Sequence, residues 1–334
     1  MPQPTSRPDL SVVLPFVAED PWLIEAVVSV EAAAAGLQWE LLLVDDRVAS
    51  SGTVPRLCRL TAHWPPGQLH VLQGQGGGVS AARNLAITSS RAPFIAFLDA
   101  DDRAMPERLT APLAAFRADP ELAHAHGGWW RVDAAGEPLA CVEPWREGAG
   151  FSLAAALTHK AVLPSAWTIR RSALDAVGGF DPSLSHAEDV DLLLRFAAAG
   201  LRGAWIERPL VRYRVHAGGA SRNLKAQIHG LADVVDRHLQ PLPPEQAAWA
   251  AGLRYGTLTW GAWKAWSEGD QDLALQVLQR AAAACPLPLP RRPVHFLEHL
   301  SRSCVREGMP FDRDRLLASP FWNQARQLLL TPGP

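Results

Sequence analysis

Asp99, Asp101 and Asp102 place three carboxylates within four residues, directly after the apolar run Phe94-Ile-Ala-Phe-Leu98. The run has strand length, and acids just beyond a strand's end lie where an open α/β sheet binds its ligands. Three carboxylates this close repel one another, which raises the pKa of one or more of them unless a cation sits among them. Hard oxygen ligands suit Mg²⁺ or Mn²⁺, typically shared with a phosphate. The plainer alternative is a solvated turn in which Asp102 caps a helix with Pro106 in its first turn.

Four more groups of residues could do chemistry. Asp45 and Asp46 follow Val44 at another strand end. An aspartate there can accept a hydrogen bond from a base or ribose; taken alone, it is a turn residue. Gly74 to Asn84 is a glycine-rich loop running into a helix, where backbone N–H groups favour an anion. It lacks the Gly-Lys-Ser/Thr of a phosphate-binding Walker loop and does not fit G-x-G-x-x-G. Arg83, about one helical turn in, can reach a diphosphate or the acid cluster. Glu188 and Asp189 fall in the first turn of a helix expected to start near His186, where carboxylates favour the helix dipole. Leu192–Leu194 and Phe196 anchor that helix in the core, and a carboxylate held so rigidly at a cleft can act as a general base. Finally, alternation along Val211-Arg-Tyr-Arg-Val-His216 puts Arg212, Arg214 and His216 on one side of a strand.

The elements that must position these groups follow from periodicity. Leu10–Phe16 and Trp39–Asp45 are apolar runs separated by a helical stretch at about 22–35, a βαβ pattern that favours a parallel sheet. Strands at 68–72 and 92–98, with helices around 54–62 and 80–90, complete a Rossmann-like half. After Asp102 the simple alternation breaks. A helix at 106–118, a strand at 123–132, a polar linker to Gly150 and a strand at 166–170 suggest a second sub-lobe. From about Asn223 the chain reads helical, with proline-rich joints at 241–244 and 286–293. The expected domains are 1–222 and 223–334. Within the second, 249–285 resembles one tetratricopeptide-type hairpin turned at Glu268-Gly-Asp270; one copy is not an array.

Composition narrows the functional classes. The chain has 334 residues, 32 Lys+Arg against 34 Asp+Glu, and a formal net charge of -2. That balance gives no sign of a nucleic-acid partner. Cys58, Cys141, Cys285 and Cys304 are far apart, with neither a zinc pattern nor a disulfide framework. No uninterrupted apolar run is long enough to span a bilayer, and the proline-rich start does not read as a signal peptide. A soluble, cytoplasmic protein is expected. The 13 tryptophans are many for a chain of this length. They suit core packing, with peripheral contact to the inner face of a membrane or homo-oligomerisation through the helical tail as further roles.

In order along the chain, Ser11-Val-Val-Leu-Pro15, Val44-Asp-Asp46, Gly78-Val-Ser-Ala-Ala-Arg-Asn84, Asp99-Ala-Asp-Asp102, Gly178-Gly-Phe-Asp181 with Glu188-Asp189, and Tyr213-Arg-Val-His216 resemble glycosyltransferase family 2. The resemblance covers about residues 10–222. It implies a GT-A fold, an α/β architecture with a Rossmann-like, mostly parallel central sheet, here followed by an all-α C-terminal region. It also implies an inverting, metal-dependent glycosyltransferase of hexosyltransferase type. The donor would be a nucleotide sugar, UDP-linked by expectation, and the acceptor a saccharide or glycoconjugate, as in polysaccharide biosynthesis. Pro15, Asp45, Asp46, Arg83, Asp99 and Ala100 would line the nucleotide-sugar pocket. Asp101 and His216 would hold Mn²⁺ or Mg²⁺, Asp189 would be the general base, and Glu188 would position the acceptor. The chain departs from the family where Arg47-Val-Ala-Ser-Ser-Gly52 follows Asp46, and where Gln75 replaces the usual asparagine. A nucleotidyltransferase is set aside, because Pro15 to Asp20 has neither glycine nor lysine. The alternative from another class is a degenerate, non-catalytic transferase that binds sugar nucleotide or serves as a scaffold through its tail.

Overall fold

The computed structural model describes residues 7–17, 21–34, 36–47, 53–216, 218–219, 223–240, 242–306 and 310–331. Two compact units result, Met1–Gly219 and Ala220–Pro334. The expected boundary at Arg222 falls outside the described residues, as do Ala18–Asp20 and most of the loop after Arg47.

The first unit opens with β1 (Leu10–Phe16), α1 (Leu23–Ala33), β2 (Trp39–Asp45), α2 (Thr53–Leu60), β3 (Leu69–Gln73), α3 (Gly78–Ser89) and β4 (Phe94–Phe97). It continues with β5 (Arg103–Ala104), α4 (Thr110–Ala118), β6 (Leu122–Val132), β7 (Pro138–Val142), α5 (Leu153–His159), β8 (Trp167–Arg170), α6 (Arg171–Val177), α7 (Glu188–Ala198) and β9 (Arg202–Arg214). One nine-stranded sheet runs β3-β2-β1-β4-β8-β6-β9-β5, with β7 hairpinned onto β6. Its first four strands are parallel, whereas β8 runs antiparallel to both β4 and β6. The sheet is therefore mixed. Every residue of β1 and β2 is buried, which is why these strands read as unbroken apolar runs. Leu10, Val12, Leu14, Leu41 and Leu43 pack with Val27 and Val30 of α1 in the main core.

At the amino ends of β1 and β2, buried Glu40 accepts from Ser11 Oγ at 2.6 Å, from the Arg91 backbone N–H at 2.8 Å and from Arg91 Nε at 2.9 Å. Burial alone would raise its pKa; the Ser11 and Arg91 hydrogen bonds override that and hold it below the usual range. The stretch expected to be a polar linker carries β7, and β9 begins well before the Val211–His216 segment. Helix α4 starts at Thr110 rather than Pro106, so Asp102 does not cap it.

The second unit is helical: α8 (Leu224–Leu239), α9 (Ala247–Ser267), α10 (Gln271–Ala284), α11 (Arg292–Arg306), α12 (Arg313–Leu317) and α13 (Pro320–Leu330). Helices α9 and α10 meet at Gly269, whose φ of +88° gives the turn its left-handed residue. Trp263, Leu278, Phe296, Leu300, Phe321 and Trp322 form its core; of the other tail tryptophans, Trp260 and Trp266 pack partly buried against it and Trp249 is exposed. Among the described residues, no helix is long and apolar enough to cross a membrane.

Candidate active site

The crevice lies at the carboxyl ends of β1, β2 and β4, where β1 sits between two parallel neighbours reached by opposite crossovers. Pro15 is buried near the end of β1, opposite Val44. Pairing of β1 with β4 ends at Val13 and Phe97. The donor that proline lacks would therefore point to where β4 has already left the sheet, so no ladder bond is lost.

Asp45 and Asp46 end β2 with different partners. The Arg47 guanidinium holds Asp45 through Nε to Oδ1 at 2.6 Å and Nη2 to Oδ2 at 2.5 Å. Asp46 organises the glycine loop, accepting the Gly76 N–H at 3.0 Å and the Gly78 N–H at 2.9 Å. A Cβ on Gly74 would lie 2.2 Å from Asp46 Oδ1, so only glycine lets the loop approach this closely.

Helix α3 then joins the two sides of the crevice. Arg83 is 2% exposed; its Nη2 donates to Asp99 Oδ1 at 2.7 Å and its Nη1 to Glu188 Oε1 at 2.8 Å. Burial works against the guanidinium's charge, but Asp99 and Glu188 more than offset it. The next residue, Asn84, clamps Phe180: Nδ2 donates to the Phe180 carbonyl at 2.7 Å and Oδ1 accepts the Phe180 N–H at 2.9 Å. The Phe180 ring in turn lies under Arg83, 5.2 Å from its guanidinium carbon. Two sequence motifs about a hundred residues apart thus share one rigid junction.

Beyond β4, the Asp99 N–H donates to Ser165 Oγ at 3.0 Å, and Ala100 lies partly buried in the same turn. Asp101 Oδ2 lies 2.9 Å from His216 Nε2. Burial, then the Asp99 charge, pushes the Asp101 carboxyl up. Asp102 is buried and accepts the Arg214 N–H at 3.0 Å, fixing the end of β9; burial and the neighbouring acids hold its pKa well above the usual range.

Asp189 sits in the first turn of α7. Burial first, and the Glu188 charge second, raise its pKa to about 7. Ala187, directly before this turn, has φ of 60°, a left-handed conformation unfavourable for a residue with a Cβ. Strain of this kind gathers at sites that must hold an exact geometry.

Residues 11–137 match the family described as glycosyl transferase family 2, and residues 94–229 match glycosyl transferase family group 2. Across residues 11–229 the chain is similar to glycosyltransferase family 2. It is 32% identical over 221 residues to the O-antigen biosynthesis protein RfbC of Myxococcus xanthus, a match covering 64% of this chain and 16% of that one. The chain spans less than half the length of the curated relatives it matches. Its fold is similar to that of S. aureus TarS 1-349 in complex with UDP-GlcNAc, with TM-score 0.59, 16% identity, and 91% and 93% of the two chains covered. The mannosyltransferase PcManGT from Pyrobaculum calidifontis, in complex with GDP-Man and Mn2+, aligns with TM-score 0.60 and 18% identity over 98% and 86%. The first unit is thus a GT-A fold.

The donor set suits a hard divalent ion. One carboxylate and one imidazole converge, and no group of three ligand side chains occurs among the described residues. Such an ion commonly keeps one or two protein ligands and completes its shell with phosphate oxygens and water.

Several supporting residues carry no motif. Trp22 at the start of α1 lies 4.5 Å from the His216 ring and 5.0 Å from the Arg214 guanidinium. Arg214 also reaches Glu25 at 2.8 Å and the Asp101 carbonyl at 3.0 Å. Arg108 is 1% exposed and has no carboxylate partner among the described residues. It donates to the carbonyls of Ser165 (2.5 Å), Trp167 (2.7 Å) and Phe97 (3.0 Å) and to Thr168 Oγ1 (2.8 Å). It fills the wedge where β4 and β8 part after Ala96 and Thr168. Burial lowers its pKa to about 9. Beneath it His124 and His126, also fully buried, are pushed down to about 3 by desolvation and stay neutral.

Proposed function

We propose that the chain is an inverting glycosyltransferase, moving a sugar from a nucleoside-diphosphate donor to a saccharide or glycoconjugate hydroxyl. One observation carries the reading: Arg83 binds Asp99 beside the candidate metal pair and Glu188 beside Asp189, so both sets of carboxylates border one crevice. Inversion needs this arrangement, with the leaving group on one face of the sugar and a base on the other.

Asp189 takes the acceptor's hydroxyl proton as that oxygen attacks the anomeric carbon. The bond from that carbon to the diphosphate oxygen breaks, and its electron pair leaves with the nucleoside diphosphate. A pKa of about 7 suits a base that must be deprotonated yet still draw a proton. Glu188, held by Arg83, positions the acceptor. Asp101 and His216 would hold Mn²⁺ or Mg²⁺, which supplies positive charge to the departing diphosphate. The relatives' printed names, O-antigen biosynthesis and UDP-GlcNAc or GDP-Man complexes, support a role in building a surface polysaccharide.

The test is a melting panel with UDP, GDP, CDP and dTDP, with and without Mn²⁺ or Mg²⁺, alongside turnover measurements. Stabilisation that needs both metal and Asp101, with turnover lost in Asp189→Asn while nucleotide still binds, would bear the reading out. Binding without turnover in the wild type would make the chain a non-catalytic sugar-nucleotide binder.

A further inference from the structure

The end of β2 does not offer what a bare aspartate would. Asp45 is 3% exposed, and Arg47 occupies both of its carboxylate oxygens; the Arg47 backbone N–H adds a third bond to Oδ1 at 3.2 Å. The guanidinium carbon stands 4.9 Å from the Phe16 ring centroid at the end of β1. From the end of β3, Gln73 Nε2 donates to the carbonyls of Asp45 and Arg47, each at 2.9 Å. The ion pair is thus pinned at the ends of three adjacent strands.

Its position decides what it would meet. The Asp101–His216 pair, beyond β4, marks the diphosphate, and the Glu188–Asp189 side is committed to sugar and acceptor. A nucleoside therefore extends the other way along the carboxyl ends, over β1 and β2, to Phe16, Asp45 and Arg47. A bare Asp45 would accept the imide N3–H of uracil or thymine. Capped, the same place presents a cation, and an imide N–H directed at it finds no acceptor.

We propose that Arg47 sets the nucleobase preference of the donor site, favouring a base whose edge offers adjacent acceptors, as cytosine does with O2 and N3, over the imide bases uracil and thymine. This rests on the nucleotide-sugar reading above. An unmatched buried N–H is worth about a factor of ten in binding.

The experiment is calorimetric titration of the full chain with CDP, UDP, GDP and dTDP in Mg²⁺ or Mn²⁺. It compares wild type, Arg47→Met, which keeps an apolar stem near Phe16 but uncovers Asp45, and Arg47→Lys, which keeps the charge without the fork. The wild type is expected to bind CDP about tenfold more tightly than UDP, and Arg47→Met to move that ratio about tenfold towards UDP, with Arg47→Lys between. A wild type that prefers UDP overturns the inference, whatever the variants do. So does an unchanged ratio in a folded Arg47→Met, or in Arg47→Lys should the first variant not fold. If no nucleotide binds the wild type, the proposed function falls, and this inference with it.

Discussion

Arg83 Nη1 meets Glu188 Oε1 at 2.8 Å, an ion pair between residues 105 positions apart in sequence. Because the guanidinium is buried, removing it would leave Asp99 and Glu188 facing each other without the shared cation. Arg83→Met is expected to destabilise the first unit by about 3–5 kcal/mol, the usual penalty for breaking a buried pair from one side. Turnover should fall by at least about a hundredfold, since both sides of the crevice lose their common reference. Urea unfolding and a turnover assay would measure this; wild-type values in both would show that the pair is ornamental.

Asp189 predicts a pH profile. With a pKa near 7, raised by burial and by Glu188, the base is protonated below neutrality and free above it. Turnover should drop about tenfold per pH unit below about 7 and level off above. The same shift acts on stability with the opposite sense to a salt-bridged acid. Between the ordinary value of 3.8 and about 7 the folded chain holds a proton that the unfolded chain releases, so this group's contribution weakens as pH rises through that window. Asp189→Asn should lower turnover by about 10²–10⁴-fold above a pH of about 7, with the deficit narrowing as the wild-type base protonates below it, and should flatten the stability curve across that range. A profile without an inflexion near 7 would remove Asp189 from the role of base.

Gly179 tests the α3 junction. Its φ is +72°, and a Cβ there would lie 2.6 Å from Asn84 Oδ1. Gly179→Ala should therefore lose about 1–3 kcal/mol through left-handed strain and overpacking together. Asn84→Ala should lower stability too, and the double variant should lose less than the sum, because both changes break one contact. Strict additivity in chemical denaturation would contradict the clamp.

Glu40, at the opposite end of the strands, provides the contrast. Its depressed pKa means that it stabilises above the ordinary carboxylate range and that this contribution is lost as pH falls through the folded value. Glu40→Ala should cost about 1–3 kcal/mol by removing the acceptor of Ser11 and of the Arg91 backbone N–H, the exposed Arg91 guanidinium regaining water, yet leave the nucleotide affinity of the folded protein unchanged. Weakened nucleotide binding would show that the two ends of the sheet are coupled.

The parallel half of the fold is legible in the sequence because β1 and β2 are buried on both faces and so appear as unbroken apolar runs. Strand β7 is short and largely exposed, and the first half of β9 carries Arg202, Glu207, Arg208 and Pro209. Both read as loop because their pairing comes from distant partners. The acids at strand ends are visible for the same reason as the strands. What each acid binds is not: Asp46 to the glycine loop and Glu188 to Arg83 are contacts set by tertiary approach, and Asp45 to Arg47 depends on how the chain turns just after β2. Arg108, within Pro106-Glu-Arg-Leu109, carries no motif that marks it. Only the meeting of α4's approach with β8, about sixty positions away, buries it.

The four hydrogen bonds of Arg108 give that wedge a wider meaning. Two strands that separate would expose carbonyls in need of partners, and a ligand could be made to supply them on arrival. Here the chain supplies its own donor, so the parting of β4 and β8 is satisfied from within the protein. An incoming donor would then meet a cavity whose shape is already set, and its binding energy would go to affinity rather than to prising strands apart.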